Sequence, residues 1–170
     1  MRSDDARVLV LEVITLAHPM IYQLKQEQQL PISLEQAWEF FCDPNNLDKI
    51  TPPDMKFQIL SGANQRMHEG QIIHYNIQIA PGIWNQWLTE IKNVHPLESF
   101  VDEQRAGPYK LWHHKHSLEA NENGVLMIDQ IHYALPFGLL GDLVHKLYVR
   151  KKLQRIFDHR VSVLKEMFPE

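Results

Sequence analysis

Cysteine is nearly absent from this chain. The single thiol, Cys42, excludes an internal disulfide and any zinc site built on paired cysteines, and it fits a reducing compartment. No histidine neighbours it in sequence to activate a thiolate, so it reads as a small buried or edge residue. An excess of positive charge is absent too. Lys plus Arg number 17 against 21 Asp plus Glu, and a formal net charge of −4 gives no global basic field to draw nucleic acid. Long apolar runs are missing as well: Val8 to Leu11 and Val13 to Ala17 are split by Glu12, short of the ~20 residues a spanning helix needs. Asp4 and Asp5 ahead of them do not suit a secretory leader. No internal repeat or low-complexity segment occurs. The remaining composition, 44% apolar and 22% charged over 170 residues, is that of one globular domain. A cytoplasmic location is expected, without integral membrane association or a nucleic-acid partner.

Ile21 to Leu30 alternates loosely, as a half-exposed strand does. Pro31 and Ser33 then change the period. Ser33 is placed to cap a helix, with Gln36 at the capping-box position and Leu34, Ala37, Trp38 and Phe41 as its apolar face. A second short helix is predicted from Pro44 towards Ile50, stopped by Pro52-Pro53. The middle of the chain reads as strands. Phe57, Ile59 and Ser61 begin one, and Ile73, Tyr75, Ile77 and Ile79 alternate with His74, Asn76 and Gln78 in the next. After Pro81-Gly82 come Trp84 to Val94, Phe100 to Gln104, Tyr109 to Glu119 and Val125 to Tyr133, with turn signals at Gly107-Pro108 and Asn121 to Gly124.

Helical spacing returns from about Gly141 to Phe168, where Leu143, Leu147, Ile156, Phe157, Val161, Leu164 and Phe168 are expected to form one stripe. Opposite lie Lys146, Arg150, Lys151 and Arg155. This basic cluster is either a solvated face or a place for acidic lipid or a protein partner. Strand, two short helices, six strands and one long helix define an α+β class with helix-grip order. A curved antiparallel sheet of about seven strands would wrap the C-terminal helix and leave a cavity between them.

Leu30-Pro31-Ile32-Ser33, Ala37-Trp38-Glu39-Phe40-Phe41 and Asn46 to Pro53, with Gly107-Pro108-Tyr109, Trp112 to His116 and Asp129 to Tyr133 before Pro136-Phe137-Gly138, together resemble the START-like (SRPBCC) superfamily. That superfamily includes polyketide cyclase-like proteins and pollen allergens, and the likeness is nearest to a bacterial stand-alone subgroup. It spans about Ile21 to Phe168, so residues 1–19 read as an N-terminal extension and 20–170 as the ligand-binding domain. The resemblance implies an interior cavity for lipids, polyketides, quinones or similar apolar molecules, on a scaffold that serves carriers, sensors and a few enzymes.

Strand parity gives a provisional inner face. Trp112, His114, His116 and Leu118 share one side of their strand; closure at Asn121 to Gly124 sets His116 opposite Asp129, His114 opposite Ile131 and Trp112 opposite Tyr133. Closing the earlier hairpin sets Phe100 opposite His114 and Asp102 opposite Trp112. Tyr75, Trp87, Phe100, Asp102, Gln104, Trp112, His114, His116, Asp129 and Tyr133 are therefore the candidate ligand-binding residues. Three readings compete for the polar members: a satisfied structural network, an anchor for a ligand's polar end, or a His-carboxylate pair for proton transfer or metal binding. No nucleophile is evident and His-x-His alone is weak metal spacing, so neither a metal nor a cofactor is expected. The leading function is binding of a small hydrophobic molecule. A cyclase, dehydratase or isomerase using His114 or His116 with Asp129, and an accessory interaction protein, stand as alternatives.

Overall fold

The computed structural model describes residues 20–80 and 82–169. The expected extension, residues 1–19, lies outside the described residues. Strand β1 (Tyr22–Leu30) leads into helix α1 (Leu34–Phe41) and a single 3-10 turn (Pro44–Asn46). Six strands follow: β2 (Phe57–Ser61), β3 (Ile72–Ala80), β4 (Ile83–His95), β5 (Ser99–Ala106), β6 (Leu111–Asn121) and β7 (Gly124–Ala134). The chain ends in α2 (Leu139–Val144), a π-helical turn (His145–Val149) and α3 (Arg150–Met167). All seven strands join one antiparallel sheet in the order β1-β7-β6-β5-β4-β3-β2, so β1 pairs with the last strand while the others run as a meander.

Local chemistry explains the start of α1. Ser33 Oγ accepts from the Gln36 amide at 3.2 Å and Gln36 Oε1 accepts from the Ser33 amide at 3.0 Å, the reciprocal capping box expected from sequence. Ala37 is fully buried on the inner side of the helix, and Trp38 and Phe41 pack with Leu30, Leu118, Met127 and Leu164 at one end of the core. The second helix is shorter than expected. Asp43 caps the Asn45 amide, but beyond Asn46 the chain continues only in isolated turns, with Lys49 bonding back to Asn46 and Thr51 to Asp48. Three-residue spacings of this kind do not propagate an α-helix.

The β6–β7 register matches the hairpin expectation: His116 faces Asp129, His114 faces Ile131 and Trp112 faces Tyr133. The β5–β6 register does not. Phe100 lies opposite His116 and Asp102 opposite His114, because the connection is wider than a tight turn at Gly107-Pro108. The Gln104 side chain holds that wide loop, accepting from the Tyr109 amide at 3.2 Å and donating to its carbonyl at 2.7 Å. The pairing is displaced by two residues, which keeps parity, so the same side chains still face inward.

The C-terminal stripe needs correcting. Leu143 and Leu147 are exposed, and the buried line on α3 is Leu153, Phe157, Arg160 and Leu164. An i to i+5 turn at His145–Val149 adds a residue to one turn, so the apolar face of α3 does not continue into α2. Gly141 lets α2 approach the chain before it, since a Cβ there would collide with the Pro136 carbonyl oxygen.

Candidate functional site

A cavity of about 630 Å³ lies between the sheet and the C-terminal helices. Its wall is mainly apolar, drawn from β3 and β4 (Ile73, Tyr75, Trp87, Ile91) and from α3 (Leu153, Phe157). Trp87 meets Trp112 edge to face at 5.2 Å, and Phe100 stacks on the His116 ring at 4.3 Å.

Polar side chains interrupt that wall in several places, Asn46, Thr51, Thr89 and Lys152 among them, and one group of them is charged and largely buried. His114 and His116 project from alternate positions of β6 and lie 3.8 Å apart between two carboxylates, Asp102 from β5 and Asp129 from β7. His114 Nε2 is 2.7 Å from Asp129 Oδ1, and its Nδ1 is 3.1 Å from Asp102 Oδ2. His116 Nε2 is 2.9 Å from the same Asp102 oxygen; its Nδ1 approaches Asp129 Oδ1 at 3.0 Å without hydrogen-bond alignment. Trp112 Nε1 donates to Asp102 Oδ1 at 3.0 Å. From α3, Arg160 Nη1 reaches Asp129 at 3.2 Å while the guanidinium lies over the Phe157 ring.

These contacts set the protonation states. Burial works against the His114 cation, but Asp102 and Asp129 outweigh it and raise its pKa to about 9, making it an imidazolium at neutral pH. Burial likewise opposes the Asp129 anion, and Arg160, His114 and His116 hold that carboxyl well below its usual range. His114 and His116 do the same for Asp102 against its own burial. Two carboxylates are thus matched by a guanidinium and an imidazolium. A buried charge left without such a partner costs several kcal/mol, roughly 3 to 5 when one member is removed.

Of the ten residues expected at the site, Tyr75, Trp87, Phe100, Asp102, Trp112, His114 and His116 line the cavity. Gln104, Asp129 and Tyr133 lie outside the lining. Gln104 secures the β5–β6 loop, Asp129 braces the two histidines from behind, and Tyr133 shares a 2.8 Å hydrogen bond with buried His145. Sequence reasoning missed Arg160, whose signal is a cation three residues after Phe157 and four before Leu164 on a buried helical line. It also missed the π-turn group, in which Tyr22 stacks on His145 at 3.4 Å and donates to Asp142. Nothing in the local sequence marks that pairing across 120 positions.

Asp102, His114 and His116 are the described residues whose donor atoms cluster tightly enough to hold a metal, within 4.8 Å of one another. Their chemistry suits one poorly. A metal takes a deprotonated imidazole nitrogen, whereas both His114 nitrogens are committed to carboxylates and the ring keeps its proton to about pH 9. Cys42 is equally unsuited to ligation or attack, since burial pushes its thiol up to about 12.

No family model matches the chain, and no curated protein does. Solved structures do. The Thermus thermophilus protein TTHA0849 is 18% identical, with 85% of this chain and 95% of that one covered at a TM-score of 0.64. The Zhui aromatase/cyclase of Streptomyces sp. R1128 is 14% identical over 85% and 92%, with a TM-score of 0.65. A START superfamily protein of Mycobacterium smegmatis is 13% identical over 86% and 98%, at 0.62. At such identities the likeness shows the fold, which is a helix grip. It is the START-like (SRPBCC) fold that the sequence resembles. Among the described residues no helix is long and apolar enough to cross a membrane.

Proposed function

We propose that the protein binds a small, mainly apolar molecule in the cavity between sheet and helix, with the ligand's polar end at the Asp102–His114–His116–Arg160 pole. The observation that carries this reading is the cavity itself: about 630 Å³, apolar over most of its wall, with a cluster of charged side chains gathered at one place. Ligand sites commonly enclose about 300 to 1,000 Å³ and use a few placed polar groups for orientation. Proton-transfer chemistry through His114 or His116 with Asp129 is the weaker reading. A general base needs a free, accessible nitrogen: both His114 nitrogens face carboxylates, and the unpaired Nδ1 of His116 is buried against Asp129.

Native mass spectrometry of protein purified without detergent tests the proposal. The expected result is one retained apolar molecule per chain, released by organic extraction and rebound on addition. Protein that carries nothing and rebinds no extracted lipid or polyketide would contradict it.

A further inference from the structure

The cavity opens on an apolar rim. Phe137, Leu140, Val144 and Tyr148 line it and are also exposed, Phe137 at 82%. Leu139, Leu143 and Leu147 project beside them, Leu147 at 68%. Large apolar side chains crowded onto so short a segment normally turn inward, and a contiguous exposed group of them marks a contact surface. A groove of about 580 Å³ runs from Leu147 and Lys151 to Gly82, where the tip of the β3–β4 hairpin adds exposed Ile83 and Trp84.

Charge around this patch is mostly positive, the Asp54 carboxylate on the groove wall being paired with Arg155. Lys146, Arg150 and Lys151 are exposed, and the only acid between Pro136 and Ile156 is Asp142, which accepts from the Tyr22 hydroxyl. The chain as a whole carries −4, so this face is locally inverted. A second copy is a poor occupant, because a two-fold contact through the patch would bring these cations against their own counterparts. Exposed leucines and a tryptophan interleaved with lysine are instead the composition of segments that lie in a membrane interface, apolar groups in the acyl boundary and cations at anionic headgroups.

We infer that this face docks reversibly on an anionic lipid surface and seats the cavity mouth against the bilayer. The value of such docking rests on the binding reading above: a sparingly soluble ligand passes between bilayer and cavity without crossing water. The docking itself is independent of what the cavity holds.

Vesicle sedimentation of the full chain tests it, using phosphatidylcholine alone and phosphatidylcholine mixed with phosphatidylglycerol. The protein should bind the mixed vesicles, less so as salt rises. The double change Leu139→Gln with Leu143→Gln should lower partitioning by about tenfold or more, and Lys146→Glu with Lys151→Glu should remove the preference for phosphatidylglycerol. None of these four side chains lines the cavity, so melting temperature and uptake of an apolar fluorescent dye in vesicle-free buffer should stay unchanged in both variants. Failure to bind mixed vesicles, or binding indifferent to both double changes, would overturn the inference. So would a vesicle-free dimer that the leucine changes abolish, since the patch would then be a self-interface. Loss of dye uptake with vesicle binding intact would count against the cavity reading alone.

Discussion

The four-residue cluster around His114 makes folding stability depend on pH in a direction that can be worked out beforehand. His114 has an ordinary pKa of 6.5 and a folded value of about 9, held there by Asp102 and Asp129 against burial. A raised folded pKa means stability is fully present below 6.5 and is lost as pH rises through 9. Each pH unit is worth about 1.4 kcal/mol, so the full contribution is about 3 kcal/mol, or about 6 to 12 °C in melting temperature for a chain of this size. His145 acts oppositely. Burial and Arg150 pull its pKa down, so its contribution is lost as pH falls below 6.5. The carboxylates of Asp102 and Asp129, both depressed, add a further loss only below about their ordinary 3.8. Thermal melts between pH 5 and 10 should therefore peak near pH 6.5 and decline on the alkaline side. Beside His114 stands His116, and the Arg160 guanidinium lies on the Asp129 carboxylate that His114 also contacts. His114→Gln should lower the maximum and flatten the alkaline slope. A wild-type melting temperature that is level from pH 7 to 9, or an unchanged slope in the variant, would refute the reasoning.

Asp129→Asn should cost about 3 kcal/mol in chemical denaturation, because it leaves the Arg160 guanidinium buried without its anion and puts a neutral amide where a carboxylate faces the His114 ring. A loss under about 1 kcal/mol would show that Arg160 finds another partner or water. Gly141→Ala should destabilise by about 1 to 3 kcal/mol, since its methyl group meets the Pro136 carbonyl oxygen and must push α2 off the chain before it. An unchanged denaturation midpoint would mean that α2 is free to shift.

Most of the sheet was legible because its evidence is local. Period-two alternation in β3, β6 and β7 marks strands wherever one face is buried, and the two-residue loop of Glu122 and Asn123 between Asn121 and Gly124 closes the β6–β7 hairpin tightly enough to fix its register. The wide β5–β6 loop left no such mark. Its register depends on Gln104 reaching the Tyr109 backbone, a side-chain bond with no periodic signature. A two-residue displacement leaves parity intact, which is why Asp102, His114 and His116 share the inner face as expected although the expected β5–β6 pairing differs from the observed one.

The helical end was legible only in part. A constant 3.6-residue spacing was extended through Leu147 to Leu143, whereas one π-helical turn between α2 and α3 points both leucines outward. Arg160 escaped notice because a cation on a helix ordinarily marks the solvated face. Here its partner, Asp129, sits on a strand 31 residues earlier. Lys146, Arg150 and Lys151 are exposed, but so are Leu143 and Leu147, which spacing set opposite them, and Arg155 is engaged in an ion pair with Asp54.

The central claim is that the cavity is a stoichiometric binding site for an apolar molecule. Its most direct measurement is calorimetric titration of organically extracted protein with the compound recovered from it, comparing wild type with Ile77→Trp. Ile77 stands in the cavity wall, half-buried, so the larger ring fills binding space without replacing a fully buried core residue. The account predicts one site per chain for wild type, with the negative heat-capacity change of apolar burial, and a loss of at least about tenfold in affinity for a variant that melts normally. Equal binding by both proteins, or none by wild type, would contradict it.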